Sequence, residues 1–297
     1  MEESGRQTQF AWQPLTPRGV AGFARCSVAQ LLLVQFLFAL CAAALVAWFV
    51  YSAWFPIITS AIARLPDQGE IRGGRLDWHG PSPQILAENR FLACAVDLPH
   101  AGEARSPAHL QLELGQSDAK FYSLLGFTRL GYMPGWRVAC NRVELTPWWG
   151  AWAPPLLALL SAAVLAGLLL TWAVLASAYL FPAWLVGFFA NRDLTLGGSW
   201  RVCGAGLMPG ALLMSAAILC YRFGVVELIG LGVAAAAHLV LGWGFILAAV
   251  LSLPRHPAAG EPAGNPFQKP TEDSGKGDCE NGGPTENSKS NPAPKSE

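Results

Sequence analysis

Long runs without a charged residue limit what this chain can fold into more than any other feature. Residues 28–54 contain no Asp, Glu, Lys or Arg. A helix of this length, with a rise of about 1.5 Å per residue, exceeds the roughly 30 Å hydrocarbon core of a bilayer. Further apolar runs fill most of residues 155–253, and the chain has 53% hydrophobic and only 13% charged residues. The sequence therefore predicts a membrane all-α helical bundle with about four transmembrane helices.

The N-terminal region leads into the first predicted span. Thr16 and Pro17 are typical of the N-cap and the first position of a helix. Residues 1–27 are therefore predicted to form a cytoplasmic N-terminus with a helix that starts at the membrane interface, and residues 28–54 form span one. A cleavable signal peptide is the alternative, but its hydrophobic region usually has about 7–15 residues, so we favour an uncleaved signal anchor.

Residues 55–150 differ from the apolar runs on either side of them. Leu110, Leu112 and Leu114 alternate with Gln111 and Glu113, which is the two-residue period of a half-buried strand. Glycine and proline pairs supply turn signals between further short alternating runs. We predict a small inserted β-rich or α+β extracytoplasmic domain here, with strands at 71–78, 92–98, 110–114, 121–132 and 137–145.

A second long apolar run begins after a cluster of tryptophans at 148, 149 and 152, as is typical where a helix enters a bilayer. As one straight helix, residues 155–190 would be about 50 Å long. We therefore predict a break at Pro182, a span at 156–179 and an interfacial segment at 181–189. A helical hairpin that makes two spans is the alternative.

The remaining apolar runs complete a helical membrane domain at 151–253. Spans three and four are predicted at 202–221 and 229–252. Residues 254–297 are rich in Gly, Pro, Ser, Asn, Lys and Glu and are predicted to form a disordered cytoplasmic tail.

Basic residues in short flanks indicate the orientation, because the positive-inside rule applies to short loops and largely not to long translocated domains. The flanking arginines share one side of the four-span arrangement: Arg18, Arg25, Arg192, Arg201 and Arg255. Both termini are predicted to be cytoplasmic, in a protein integral to the bacterial inner (cytoplasmic) membrane.

Several short segments carry a resemblance to known membrane proteins: Leu65-Pro66 followed by Gly69-Glu70-Ile71, the turn Asn191-Arg192-Asp193-Leu194, and Trp200-Arg201 leading through Gly204 to Pro209-Gly210. With an N-terminal span, a translocated β-rich domain and a terminal helical cluster, residues 20–253 resemble the Yip-type membrane-protein superfamily and its bacterial relatives of unknown function. The resemblance implies a role in trafficking, membrane organisation or the envelope, and it supplies no catalytic residues.

The last two predicted spans contain the candidate intramembrane sites. His238 is an ionisable side chain at a costly location and marks a candidate polar site; a neutral histidine bonded to a backbone carbonyl or a hydroxyl on a neighbouring helix is the alternative. Pro209 and Gly210 mark a candidate helix break, which in transporters can line a binding site. Close packing through Gly206 and Gly210 is the alternative, and small-residue faces also predict protein partners or a homo-oligomer.

Two groups of residues in the extracytoplasmic domain could carry chemistry. Cys94 and Cys140 fall in predicted strands, and an oxidising compartment would allow a disulfide between them, with free buried thiols as the alternative. His79, Asp97 and His100 are the groups through which an enzyme could act at the outer surface. Their spacing matches no metal-binding or catalytic motif, so no metal, cofactor or catalytic residue is predicted.

The balance of charge bears on the partners. Formal net charge is zero and the basic residues are scattered, which argues against nucleic-acid binding and leaves the lipid bilayer as the predicted partner. We favour a non-catalytic component of the envelope that binds a partner or organises the membrane. The alternatives are a small transporter or channel-like subunit that uses His238 and the Pro209 break, and a membrane-anchored enzyme with a site on the extracytoplasmic domain.

Overall fold

Among residues 13–255, four helical stretches are long and apolar enough to cross a membrane: Val28–Ala63, Arg142–Phe189, Leu196–Arg222 and Leu228–Ser252. The structure, a computed structural model, describes residues 13–255. Residues 1–12 of the predicted N-terminus and residues 256–297 of the predicted disordered tail lie outside the described residues. Within that range, every strand lies between the first and the second of the four stretches.

A short helix, α1 (Pro17–Gly22), precedes the first long one. It begins as the sequence predicts, because the Thr16 hydroxyl accepts a hydrogen bond from the amide of Gly19 and Pro17 is its first residue. Val20 and the following Phe23 are fully buried in the apolar core of the helical bundle. The N-terminal segment is thus part of the packed bundle.

The first long stretch consists of two helices, α2 (Val28–Ala53) and α3 (Phe55–Ala63). Helix α2 coincides with the predicted span at 28–54. Trp54 separates the two helices, and Pro56 lies in the first turn of α3, where a missing amide hydrogen costs nothing.

Eight strands follow, and they form two sheets. The strands are β1 (Gly69–Arg72), β2 (Arg75–Trp78), β3 (Gln84–Glu88), β4 (Leu92–Val96), β5 (Leu110–Leu114), β6 (Asp118–Ser123), β7 (Gly126–Gly131) and β8 (Arg137–Ala139). Their orders are β2-β1-β8 and β3-β4-β5-β6-β7. Neighbouring strands are antiparallel except β4 and β5, which are parallel. We call β1 to β8 with their connections the inserted domain.

The predicted strands need three corrections. Two predicted runs, 71–78 and 121–132, are each a hairpin rather than one strand, and β3 was not predicted at all. Residues 142–145, predicted as the end of a strand, instead begin a helix. The reason is a cap: the Asn141 side chain accepts a hydrogen bond from the amide of Glu144.

Both faces of the five-stranded sheet are covered, and they differ in chemistry. Leu112 and Leu114 of β5 lie on an apolar face of this sheet. That face packs against α3 in one apolar core and against the smaller sheet in another. Gln111 and Glu113 are more deeply buried than these leucines, on the opposite face. A parallel pair requires a crossover connection, and residues 97–109, which connect β4 to β5, contribute hydrogen-bond partners on that face.

Helix α4 (Arg142–Phe189) is one continuous helix of 48 residues. The predicted break at Pro182, the separate interfacial segment at 181–189 and the alternative helical hairpin are therefore wrong. Pro182 removes one backbone hydrogen bond, but flanking turns and packing of buried Ala183 and Gly187 keep the helix intact.

Helix α4 can cross a membrane without a bend, because both of its ends can lie outside the hydrocarbon core. Trp152 and Trp184 are separated by 32 residues of helix, or about 48 Å. That distance is close to the roughly 40–45 Å thickness of a bilayer with its headgroup layers. Both ends of α4 carry aromatic pairs, Trp148 with Trp152 and Trp184 with Phe188.

Three further helices complete the bundle: α5 (Leu196–Gly206), α6 (Met208–Arg222) and α7 (Leu228–Ser252). The predicted span at 202–221 is thus two helices, and it begins six residues earlier than predicted. The Thr195 hydroxyl caps α5 by accepting from the amide of Gly198.

Candidate functional site

A cavity of about 190 Å³ lies between the four long helical stretches, and we call it the four-helix cavity. Its lining is mostly apolar, with five side chains that carry a polar group. The polar ones are Thr171, Trp172, Tyr179, Ser215 and His238. The others are Ala42, Val46, Val164, Leu168, Leu175, Leu207, Ala211, Met214, Ile218 and Leu239.

His238 lies on the wall of this cavity, in α7. Its Nδ1 is hydrogen-bonded to the backbone carbonyl of Ala235, one turn earlier in the same helix. A carbonyl only accepts, so Nδ1 carries the hydrogen, and the neutral tautomer satisfies the bond. The partner is a backbone carbonyl, but it lies on the same helix rather than on a neighbouring one.

Pro209 and Gly210 lie where the third stretch changes from α5 to α6. Helix α5 ends at Gly206, and Pro209 is the second residue of α6. Leu207, between the two helices, lines the four-helix cavity. The helix break and His238 therefore border the same space.

Glycines on both sides of this break allow α7 to approach closely. A Cβ atom at Gly206 would lie 2.5 Å from Cγ1 of Ile246, and one at Gly210 would lie 2.6 Å from the backbone oxygen of His238. Ordinary contacts of a Cβ atom begin at about 3.4 Å. Close packing thus occurs at these two glycines, while Gly232 faces open space.

A polar contact near the break was missed from the sequence. Gln35 of α2 is buried, and its Nε2 donates to the carbonyl of Gly204 at 3.1 Å. The signal was present as a glutamine inside an uncharged apolar run. In hydrocarbon, such a side chain needs a partner on a neighbouring helix.

The three candidate enzyme residues of the inserted domain have separate partners. His79 faces Asp77 at 3.8 Å. Asp97 is buried, and its Oδ2 accepts from the amide of Gly102 at 2.7 Å. His100 takes part in a different network, described next, so these three side chains share no hydrogen bond or ion pair. Within residues 13–255, no group of three His, Cys, Asp or Glu residues could hold a metal ion.

His100 lies between two carboxylates. Its Nδ1 is 2.5 Å from Oε1 of Glu113, and its Nε2 is 2.8 Å from Oδ1 of Asp118. When both carboxylates are ionised, each ring nitrogen must donate, because a carboxylate only accepts. Glu113 is fully buried and also accepts from Gln111 and Tyr122. Burial, with the charge of Glu113, raises the pKa of Tyr122. This network connects the 97–109 segment to the sheet.

The candidate disulfide between Cys94 and Cys140 is not formed. Cys94 and Cys140 are both free, and they belong to different apolar cores, one beside α3 and one under the smaller sheet. Burial raises the pKa of each thiol to about 11. Cys140 is a free, buried thiol and Cys94 a free, half-buried one.

A junction between the inserted domain and the bundle was also missed. Phe91 and Tyr221 are buried together, with ring centroids 5.1 Å apart, and His109 is hydrogen-bonded to the Tyr221 hydroxyl. The Asn89 side chain donates to the carbonyl of Ala53 at 2.6 Å. Burial, followed by the charge of Arg90, lowers the pKa of His109. No sequence pattern marks these residues, because Phe91 and His109 contact Tyr221 across more than a hundred positions.

The arginines that flank the predicted spans form contacts near the N-terminal end of α2, the end opposite to the junction at Ala53. Arg25 pairs with Asp193 at 2.7 Å, Arg192 donates to the carbonyl of Leu253, and Arg201 donates to the carbonyl of Ala24. The helix ends at this side are thus connected by basic side chains.

Fold and cavity together define a chain with four potential membrane-crossing helical stretches, an inserted two-sheet domain and an apolar cavity among the helices. No protein-family model, curated protein or solved structure matches this chain. The resemblance to the Yip-type superfamily stays a prediction.

Proposed function

We propose that this chain is an integral membrane protein of a bacterial inner membrane that crosses the bilayer four times. Both termini are cytoplasmic in this proposal, and the inserted domain is extracytoplasmic. Support comes from the four apolar helical stretches, the aromatic pairs near both ends of α4 and the arginines grouped at one end of the bundle.

Its role in this proposal is non-catalytic binding, with the acyl chain of a lipid held in the four-helix cavity. The observation that carries this is the mostly apolar lining, which all four helical stretches supply. A polar solute would lose its hydration there with few groups to replace it, whereas a hydrocarbon chain loses nothing. Apolar cavities of similar size remain dry and accept apolar guests.

Photocrosslinking tests the binding role. The full chain is reconstituted in vesicles that contain a phospholipid with a photoactivatable group in its acyl chain, and the labelled peptides are identified by mass spectrometry. The four-helix cavity should be labelled in the native chain and protected in Ala211→Phe, which fills the cavity. Leu213→Phe is the matched control, because Leu213 is on the same helix, exposed, and outside the lining. Equal labelling of cavity peptides in both variants would refute bound lipid.

A small transporter or channel-like subunit is the second candidate. One observation favours it: the helix break at Leu207 and the ionisable side chain of His238 border the same cavity. Proteoliposomes with an internal pH dye test this candidate. A proton flux above that of empty vesicles, abolished by His238→Leu, would establish transport, and the absence of any flux in the native chain would reject it.

Topology is tested separately, by cysteine labelling or reporter fusions at Arg105, Gly198 and Gly264. The four-span proposal requires position 105 outside, with 198 and 264 inside. Positions 198 and 264 outside would reject the proposed topology, whatever the cavity binds.

A further inference from the structure

The turn between β6 and β7 has an unusual composition for an exposed hairpin. Two leucines, Leu124 and Leu125, form its tip, and they are 63% and 97% exposed. Tight hairpin turns favour Gly, Asn and Asp because these residues adopt the required backbone angles and are solvated. Phe127, next along β7, is 55% exposed. An apolar surface of this kind marks a binding site for a partner or a membrane.

The tip lies beside the first residue of a membrane-crossing helix. Leu124 and Leu228 line one cavity of about 300 Å³, and Leu228 begins α7. With 25 residues, α7 is about 37 Å long, which exceeds a hydrocarbon core of roughly 30 Å and is shorter than the full bilayer of about 40–45 Å. Leu228 is therefore expected at the depth of the lipid headgroups, and Leu124 lines the same cavity as Leu228.

Exposed apolar residues also lie at the start of α7, and one exposed cation lies behind the tip. Val225 and Ile229, on either side of the start of α7, are 76% and 68% exposed. Arg129 is an exposed cation of the same hairpin, and its guanidinium carbon is 5.4 Å from the ring centre of Phe127, whereas Lys120 is buried. Leucines in front of an exposed arginine match a lipid leaflet, where hydrocarbon lies below a layer of phosphate groups.

From this arrangement we infer that the β6–β7 tip inserts into the outer leaflet of the bilayer. The inference rests on the proposed membrane insertion of α7. The occupant of this surface is phospholipid, because Leu124 of the tip shares a cavity with Leu228, the first residue of the proposed membrane-crossing helix α7. Together with the junction at Phe91, the tip gives the inserted domain a second attachment, which restrains its rotation relative to the membrane.

A fluorescent depth probe tests this inference in the full chain. Leu125→Cys is labelled with an environment-sensitive fluorophore in reconstituted vesicles, with the unsubstituted chain treated in parallel to subtract its native cysteines. The label at position 125 should emit at shorter wavelength than in water, and spin-labelled phospholipids should quench it. Glu103→Cys is the control, since Glu103 is exposed in the 97–109 connection, and its label should behave as in water.

Two results would overturn the inference. One is a label at position 125 with the emission of an aqueous site, and the other is a shielded label that spin-labelled lipids do not quench, which would indicate a protein partner. Alkaline carbonate extraction of the same vesicles separates this failure from that of the proposed topology. A chain that resists extraction while its position 125 label is in water refutes only the inserted tip.

Discussion

Substitution of Gly210 by alanine should destabilise the bundle, because the backbone of α7 occupies the required space. A Cβ atom at this position would lie 2.6 Å from the carbonyl oxygen of His238, about 0.8 Å inside the 3.4 Å at which ordinary contacts begin. The clashing atom belongs to a helix backbone, which cannot rotate away as a side chain can. Helices α6 and α7 must therefore separate or shift.

The size of the effect follows from overpacking. Forcing one extra methyl group into a packed interior costs about 1–3 kcal/mol. For a chain of this size, each kcal/mol lowers the melting temperature by about 2–4 °C, so Gly210→Ala should lower it by about 2–12 °C. The assay is thermal unfolding of the purified chain in detergent, followed by the monodisperse fraction that survives each temperature.

Matched controls come from the same bundle. Gly232 and Gly244 lie in α7, and a Cβ atom at either position meets open space. Gly232→Ala and Gly244→Ala should leave the melting temperature unchanged or raise it slightly, because alanine is the better helix former by about 1 kcal/mol. If Gly210→Ala melts at the same temperature as these controls, the close approach of α6 and α7 is refuted.

Three further predictions concern the inserted domain. Cys94 and Cys140, with pKa values raised to about 11, should each be ionised in about one molecule in a thousand at pH 8. The rate of maleimide labelling should therefore be low at pH 8, increase as the pH approaches 11 and become high when the chain unfolds. Rapid labelling of the folded chain at pH 8 would contradict this. His100→Ala should lower the free energy of unfolding by about 3–5 kcal/mol, because it leaves the buried Glu113 without its imidazole partner. Denaturant unfolding measures this, with His79→Ala at a half-exposed site as the control. Equal free energies of unfolding for the two variants would refute the prediction. Phe91→Ala should cost about 3–5 kcal/mol at the junction and increase proteolysis of the inserted domain; an unchanged proteolysis rate would show that the junction does not hold the domain.

Local patterns in the sequence predicted helices and strands well where the signal is contained in a few neighbouring residues. The cap at Thr16, the uncharged run of α2 and the alternation in β5 each depend on contacts within one element. Pro182 shows the limit of such reasoning. Its local signal predicts a break, but the surrounding helix and the packing of its neighbours override the loss of one hydrogen bond.

The alternation in β5 illustrates a second limit. The period correctly predicted a strand, and leucines would ordinarily be taken as the buried side. In the structure, Gln111 and Glu113 are the more deeply buried residues, because the 97–109 segment supplies hydrogen-bond partners for them. A sequence period identifies two faces but not what covers each face.

The candidate site was predicted only in part, for the same reason. His238 and Pro209 stand out as rare residue types in apolar runs, and each could be named from composition alone. The contact of Gln35 with Gly204 and the contact of His109 with Tyr221 join positions more than a hundred residues apart. Those pairs depend on how the helices pack, which no local pattern encodes.

The continuity of α4 has a mechanical consequence. A helix of 48 residues without an interruption extends over about 72 Å along its axis. A tilt of about 10° around its middle displaces its two ends by about 6 Å each, in opposite directions. Arg142, at the first end, pairs with Asp67 just before β1 of the inserted domain, and the other end leads into the turn at Asn191. If α4 moves as one body, a change of angle at the domain would displace the far end by a distance comparable to one helical turn.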